Sequence, residues 1–233
     1  MSKSEDAFAI LRRDILDAVL APGEPLVIAG LRQRYGFGWT PLREALPRLE
    51  AEKLVVFQQH RGYRVAPVSA KSLRDLQAAR LAVESALLKA SIENGDGEWE
   101  GRIVAAHHLL GRTPAPAPGM AEDATRLWEQ RHDAFHDALL AAGESEWLTR
   151  FQRQIADQLH RHHRFMVHGP NTRGILRADE RPTLQAVLQR TLGIEHHTAL
   201  MEATLARDAA KALALLEEHI GFSLAVYETL WPA

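Results

Sequence analysis

The sequence has 233 residues, of which 46% are hydrophobic and 25% charged, and its formal net charge is -2. These proportions are those of a globular protein, and the length fits one or two domains. The chain has no cysteine, which excludes disulfides, thiolate metal sites and cysteine nucleophiles. No apolar run reaches the ~18 residues of a membrane-spanning helix and the N-terminus is polar, so we expect a cytoplasmic protein with no membrane partner.

The charged residues and the histidines are unevenly distributed. Basic residues are in excess over residues 1–68 and acidic residues over residues 69–233. Of the 12 histidines, all but one lie beyond residue 100. A small basic head on a larger acidic body weakly indicates a nucleic-acid partner for the head.

The first residues predict two helices. Apolar residues at three- and four-residue spacing predict a helix over residues 5–20, which Pro22-Gly23 ends. A second, short helix is predicted between Ile28 and Tyr35, and Gly36 ends it.

A third helix and a hairpin follow. Thr40 is predicted as the N-cap of the helix, with Pro41 in its first turn, and Pro47 leads us to expect a shortened or bent helix. Two β-type runs, 54–57 and 63–66, flank a glycine-containing turn and predict a hairpin. Three short helices followed by a hairpin is the order of a winged helix-turn-helix.

Residues beyond the linker at 67–69 predict helix throughout. The helical segments are 70–94, 98–111, 121–142, 146–166, 181–192, 194–206 and 208–230. The predicted fold is therefore mainly α, with a winged helix-turn-helix domain over residues 1–68 and an antiparallel all-helical bundle over residues 69–233.

The third helix carries the candidate DNA-reading residues, because the second helix of a helix-turn-helix lies in the major groove with its N-terminal residues facing base edges. Arg43 is one turn into this helix and can reach a base or a phosphate, whereas Arg48 lies further along and is expected to meet phosphate. Arg61 lies beside the turn of the hairpin, where it can reach a phosphate or the minor groove. The alternative is a solvated helical surface with ordinary arginines.

Five motifs in this region, in order and spacing, resemble the N-terminal domain of GntR-type bacterial transcription regulators. They are Ala21-Pro22-Gly23-Glu24-Pro25-Leu26, Leu31 to Gly36, Thr40-Pro41-Leu42-Arg43-Glu44-Ala45-Leu46, Arg48-Leu49-Glu50-Ala51-Glu52 and Arg61-Gly62-Tyr63-Arg64-Val65. The resemblance implies that Thr40, Arg43 and Gly62 contact a double-stranded DNA operator. Where the family usually has Ser-Arg before Thr-Pro, this chain has Gly38-Trp39, and Trp39 cannot make a bidentate contact with guanine. Because Trp39 stands where the family has that arginine, we include it among the DNA-contact candidates. Because it cannot make the guanine contact, we expect a different operator or a lower affinity.

Four histidines are candidates for a metal site. His132 and His136 are four residues apart and share one helix face. His197 and His219 are 22 residues apart, and a helical hairpin starting at Asp208 would bring them to the same level. Four inward imidazoles suit a divalent transition metal, with Zn or Ni favoured, and the alternative is unrelated buried histidines satisfied by hydrogen bonds.

Residues 72–222 resemble the all-helical FCD effector domain of the FadR-like subgroup of that family. The match is carried by Leu76 to Glu84, by Phe135-His136 and by Glu195 to His219. The resemblance implies His136, His197 and His219 as metal ligands, with His132 where an Asp is usual. It also implies a small carboxylate effector completing the metal's coordination, held by Arg80. The alternative for Arg80 is an i, i+4 pair with Glu84 on a solvated face.

A second histidine cluster comprises His160, His162, His163 and His168. Arg161 and Arg164 surround these histidines, and nearby cations oppose metal binding. We therefore expect this segment to form a solvated or interface surface.

Together these features predict a homodimeric, effector-responsive transcription regulator and not an enzyme, since helix-turn-helix proteins dimerise to reach two half-sites. The alternatives are a metalloenzyme with a metal-activated water, a regulator that senses the metal directly, and a purely structural metal. Whether the effector releases or promotes DNA binding stays open at this point.

Overall fold

The computed structural model describes residues 2–117, 120–168 and 191–230. Within these ranges the elements are α1 (Lys3–Leu16), α2 (Ile28–Tyr35), α3 (Trp39–Ala51), β1 (Val55–Gln58), β2 (Gly62–Val65), α4 (Ala70–Asn94), α5 (Gly97–Gly111), α6 (Glu122–Leu140), α7 (Glu146–His168), α8 (Ile194–Leu205) and α9 (Ala209–Leu230). The elements form two compact units. The winged unit holds the described residues of Met1–Leu76 and Gln154–Ile175, and the helical unit holds those of Gln77–Arg153 and Leu176–Ala233.

The winged unit contains the predicted three helices and hairpin. Ser2 and Glu5 form a reciprocal capping box at the start of α1, and the helix ends at Leu16 rather than near residue 20. Strands β1 and β2 pair antiparallel, with Gln58 opposite Gly62 at the turn. The core of the unit is built from buried aliphatic side chains of all three helices and the hairpin, among them Leu11, Ile15, Leu31, Leu42, Leu46, Leu49, Val55 and Val65.

The start of α3 differs from the prediction. The helix begins at Trp39, its N-cap position is occupied by Gly38, and no side chain caps it. Thr40 therefore lies inside the first turn, and its prediction as the N-cap is wrong. Pro41 is tolerated because the first-turn N–H groups have no intrahelical partner. Pro47 is exposed and does not shorten the helix, which continues to Ala51.

Several side chains in the segment of α7 that belongs to the winged unit are buried, so of the two expectations for this segment, a solvated or an interface surface, the fully solvated surface is wrong. Arg161, His162 and Arg164 are all buried. Arg161 donates to the carbonyl of Ala66 and to the side-chain oxygen of Gln158. Burial lowers the pKa of Arg161 to about 10 and that of His162 to about 4. The side chain of His168 lies outside the described residues.

The helical unit contains only helices and their connections among its described residues. Its core is formed by large buried side chains from α4, α5, α6, α8 and α9, among them Leu88, Trp99, Ile103, Trp128, Phe135, Leu200 and Leu216. Asp208 accepts a hydrogen bond from the backbone N–H of Lys211 at 3.0 Å and begins α9, which packs back on α8. The predicted helical hairpin is thus confirmed, whereas most of the predicted helix 181–192 lies outside the described residues.

The mainly α fold class is confirmed. In the part of the chain that the structure describes, we find no helix with the length and apolar content needed to cross a membrane.

Candidate metal centre and DNA-contact surface

The four histidines that the sequence singles out come together in the helical unit. His132 and His136 lie on α6, His197 on α8 and His219 on α9. One ring nitrogen from each histidine can be chosen so that all four atoms lie within 4.8 Å of one another. Three of the residues are buried and His132 is partly buried. The helical hairpin therefore brings His197 and His219 to the same level, beside the α6 pair.

Aromatic neighbours and backbone bonds hold these rings in place. Trp128 stacks on His132 with ring centroids 4.7 Å apart. Nδ1 of His197 is 2.8 Å from the carbonyl oxygen of Gly193. A carbonyl can only accept, so Nδ1 carries the proton and Nε2 of His197 carries a lone pair. The tautomer of this histidine is thus fixed by its own helix.

Three buried ring nitrogens of the cluster have no hydrogen-bond partner among the described residues. They are Nε2 of His136, Nε2 of His197 and Nδ1 of His219. Buried polar atoms are normally paired, because an unpaired one retains its full desolvation cost. Three unpaired nitrogens on rings that lie this close together fit a shared ligand better than they fit independent core histidines. Neutral imidazole nitrogens are donors for Zn or Ni rather than for Mg or Ca.

The protein environment keeps His136, His197 and His219 neutral. Burial, the other histidines and Arg80 lower the pKa of His136 and His219 well below the ordinary value. Burial and the neighbouring histidines lower the pKa of His197 to about 3. A metal ligand must be deprotonated, and these rings satisfy that requirement without releasing protons at neutral pH.

Arg80 lies close enough to the cluster to affect it electrostatically and is itself buried. Its Nε donates to Oε1 of Glu84 at 2.9 Å. The i, i+4 pair considered as an alternative therefore exists, but on a buried face rather than a solvated one. Oε2 of Glu84 is also buried and has no hydrogen-bond partner in the described part of the chain.

Sequence reasoning did not single out His196. Its ring stacks on His219 at 5.6 Å between centroids, and its Nε2 lies 2.9 Å from the carbonyl oxygen of Leu215. His196 is thus anchored to α9 and supports the ring of His219. The only signal in the sequence was its adjacency to His197.

In the winged unit, Trp39, Thr40, Arg43 and Arg48 all lie on the exposed face of α3. The guanidinium carbon of Arg48 is 4.1 Å from the ring centroid of Phe8, so this arginine lies along α1. The guanidinium carbon of Arg43 is 5.8 Å from the ring centroid of Trp39. Arg43 and Trp39 therefore form one connected surface at the start of the helix.

The turn of the hairpin carries the other two candidates. Arg61 is exposed, and its backbone N–H donates to the carbonyl of Gln58 at 2.9 Å. Gly62 has a φ of +74°, a left-handed conformation in which a side chain would be strained. Gly62 therefore shapes the turn that presents Arg61.

Comparisons with known proteins agree with this architecture. Residues 3–65 match the family described as bacterial regulatory proteins, gntR family, and residues 75–222 match the FCD domain. The chain is 35% identical over 223 residues to the HTH-type transcriptional regulator BphR of Paraburkholderia xenovorans, covering 95% of this chain and 84% of BphR. It is 33% identical over 217 residues to the HTH-type transcriptional repressor GlaR of Escherichia coli, covering 93% and 92% respectively.

Solved structures show the same fold at lower identity. The Escherichia coli protein McbR/YncC is similar with a TM-score of 0.66 and 19% identity, over 98% of each chain. A GntR regulator from Rhodococcus sp. RHA1 is similar with a TM-score of 0.67 and 20% identity, over 100% of each chain.

Proposed function

Because this chain belongs to the gntR family of bacterial regulatory proteins and carries an FCD domain, we propose that its affinity for operator DNA is set by a small carboxylate bound at a metal in the helical unit. The chain is a DNA-binding transcription regulator and not an enzyme. The metal, the carboxylate and their effect on DNA binding are the proposed part.

The observation that carries the metal proposal is the presence of three buried, unpaired imidazole nitrogens within one cluster of four histidines. His136, His197 and His219 are the proposed ligands, with His132 as the fourth. The donor set favours Zn or Ni. When bound, a divalent metal offers a positive centre to an anionic ligand. Four neutral imidazoles leave that charge uncompensated, which favours an anionic effector.

Arg80 is the proposed carboxylate-binding residue. A guanidinium has five N–H donors, and among the described residues only one of them is engaged, by Glu84. The remaining donors can hold a carboxylate in the fork geometry. Since Arg80 is buried, a bound carboxylate would interact with it in a low-dielectric environment, where the attraction is strong.

The proposed DNA contacts lie on the winged unit. Arg43 is assigned to a base edge in the major groove and Arg48 to a phosphate, with Thr40 and Trp39 beside them. Arg61, presented by the turn at Gly62, is assigned to the adjacent groove or phosphate. The exposure of all these residues supports the assignment.

We further propose a homodimer, with residues 1–68 as the DNA-binding domain and residues 69–233 as the domain that binds effector and dimerises. A dimer places two winged domains on half-sites about one helical turn apart. The related GlaR is named a repressor, which favours repression by this chain as well.

The first test is selection of bound fragments from a genomic DNA library at near-physiological salt. We expect a shared sequence with two-fold symmetry. Arg43→Ala should then weaken binding to that operator by about 1–3 kcal/mol, because a base contact is lost. The matched control is Arg102→Ala, which removes an exposed arginine from α5. Equal effects of the two substitutions would move the base-reading role away from Arg43.

The second test measures metal content. His197→Ala should reduce the bound metal per chain, whereas His108→Ala, on the exposed face of α5, should leave it unchanged. Unchanged stoichiometry in His197→Ala would remove the proposed site. If the metal itself is the signal, adding it will change operator affinity without any carboxylate. If the metal is purely structural, removing it with a chelator will unfold the protein, and no carboxylate will change operator affinity.

A further inference from the structure

Trp39 is a large aromatic residue on the surface of the winged unit, and the structure gives it a distinct environment. It is the first residue of α3, and 46% of it is exposed. It is not part of the buried core of the winged unit. The ring therefore lies outside the apolar core of its unit.

Two arginines approach the ring. The guanidinium carbon of Arg32, on α2, lies 4.9 Å from the ring centroid, and that of Arg43 lies 5.8 Å from it. Cations are attracted to the face of an indole, and Trp is the ring that attracts them most strongly. The indole is therefore held between α2 and the next turn of α3, instead of rotating freely in solvent.

Its position on the helix directs it toward base edges. Trp39 and Arg43 are four residues apart, so they share a face of α3. Leu42, Leu46 and Leu49 pack into the core, whereas Trp39 and Arg43 lie at the edge of that apolar stripe and are exposed. The N-terminal residues of such a helix are those that face the bases in the major groove.

The chemistry of the ring limits what it can read there. An indole has one N–H donor and no acceptor, so it cannot form the bidentate bond that an arginine makes with guanine. The apolar group that the major groove displays is the 5-methyl of thymine. We propose that Trp39 is a specificity-determining residue that reads a thymine through this methyl group, with Arg32 and Arg43 positioning the ring. This inference rests on the proposed placement of α3 in the major groove.

The test uses the operator recovered from the genomic selection. In synthetic duplexes, each thymine is replaced in turn by deoxyuridine, which removes only the 5-methyl group and keeps the base pair. At fixed salt, we expect the full-length protein to lose about fourfold in affinity at one thymine of each half-site, the effect of one buried methyl. Substitutions at other thymines should have little effect.

Two variants assign the loss to the indole. Trp39→Ala should bind the unmodified operator more weakly and show no further loss at the same uracil. Trp39→Phe keeps an apolar ring and should retain part of the sensitivity. Because Trp39 lies outside the core, both variants should unfold at the wild-type temperature, which circular dichroism checks.

Two outcomes would overturn the inference while leaving the regulator intact. One is an operator whose affinity is insensitive to uracil at every position. The other is a Trp39→Ala variant as sensitive to uracil as the wild type, since the methyl would then act through DNA shape or another residue. If the selection yields only sequence-independent, salt-sensitive binding, the proposed DNA reading itself fails and the inference falls with it.

Discussion

At His132, a single side chain determines the chemical character of the proposed metal centre. Its ring centroid lies 4.5 Å from that of His136 and 5.2 Å from that of His197. The neighbouring Asp133 is exposed, with Oδ1 3.5 Å from Nδ1 of His132, so this carboxylate does not replace the missing Asp inside the cluster. The proposed donor set therefore consists entirely of imidazoles.

Substitution of His132 tests this donor set. We expect His132→Ala to weaken Zn or Ni binding by roughly tenfold or more, since changes even to outer-shell residues cost that much. His132→Asp should restore binding and shift the preference toward harder metals such as Mn, because carboxylate oxygen suits them better. Competition between Zn and Mn, followed by metal analysis, measures both effects. An unchanged preference in His132→Asp would place His132 outside the coordination sphere.

His162 makes a separate prediction about pH. Its Nδ1 lies 2.7 Å from the carbonyl of Gln158 and its Nε2 3.2 Å from Oγ of Ser72. Burial is the main cause that lowers its pKa to about 4; the bond to Gln158 opposes this shift and the nearby Arg161 adds to it. The folded pKa is thus below the ordinary value of 6.5. The stability that neutral His162 contributes is complete above pH 6.5 and is lost as the pH falls toward 4.

We expect His162→Gln to remove part of this dependence, up to about 3 kcal/mol between neutral pH and pH 4. The buried histidines of the helical unit, His136, His197 and His219, titrate in the same direction, so the informative quantity is the difference between variant and wild type. Urea unfolding of both proteins across this range measures it. Parallel stability profiles would show that His162 keeps its ordinary pKa.

At the scale of elements, the connection between α4 and α5 is fixed by close packing. A Cβ added to Gly95 would lie 2.1 Å from Cε3 of Trp99, well inside contact distance. Trp99 cannot move away easily, because it is fully buried and its Nε1 donates to the carbonyl of Ala138 at 2.9 Å. Gly95 is therefore required by its neighbour rather than by its backbone conformation.

Gly95→Ala should lower the free energy of unfolding by about 1–3 kcal/mol through overpacking. Gly97→Ala is the matched control, because a Cβ at that position meets nothing within 4 Å and alanine favours a helix. Thermal or urea unfolding of both variants tests the pair. Equal stabilities would mean that the ring of Trp99 can shift at no cost.

Comparison of elements shows what the sequence could predict. The helices of the helical unit were predictable because their apolar periodicity and glycine breaks are strong, and α4 runs from Ala70 to Asn94 as expected. The convergence of four histidines was predictable because i, i+4 spacing and a hairpin at Asp208 fix their levels. The N-cap of α3 was not, since Gly38 offers no capping side chain and Trp39 has no strong preference for either position.

The burial of Arg161, His162 and Arg164 was also unpredictable from local charge. A cluster of cations normally indicates a solvated surface, because isolated buried charges are costly. Here Arg161 donates from its Nη1 to the carbonyl of Ala66, which is distant in sequence, while its buried Nε has no hydrogen-bond partner among the described residues. Only the tertiary structure provides that acceptor, so no local pattern reveals it.

At the scale of the whole molecule, the two compact units divide the chain differently from the predicted domain boundary. The winged unit takes in residues up to Leu76 and also part of α7, which is why it is discontinuous in sequence. The proposed metal cluster and Arg80 lie in the helical unit, and the proposed DNA contacts lie in the winged unit. An effector bound at the cluster can therefore act on DNA only through a change in the relative stabilities of two states of the protein.

This requirement leads to the last prediction. A ligand shifts an equilibrium only by its difference in affinity for the two states, and the coupling is reciprocal. If a carboxylate changes the operator dissociation constant of the metal-loaded protein by some factor, typically 5–150-fold, the operator must change the carboxylate's dissociation constant by the same factor. Fluorescence anisotropy with labelled operator and calorimetry with the carboxylate measure the two sides. In His197→Ala we expect operator binding to persist and the coupling to vanish. An undiminished coupling in that variant would place the effector elsewhere in the chain, whereas a shift produced by metal alone would make the metal itself the signal.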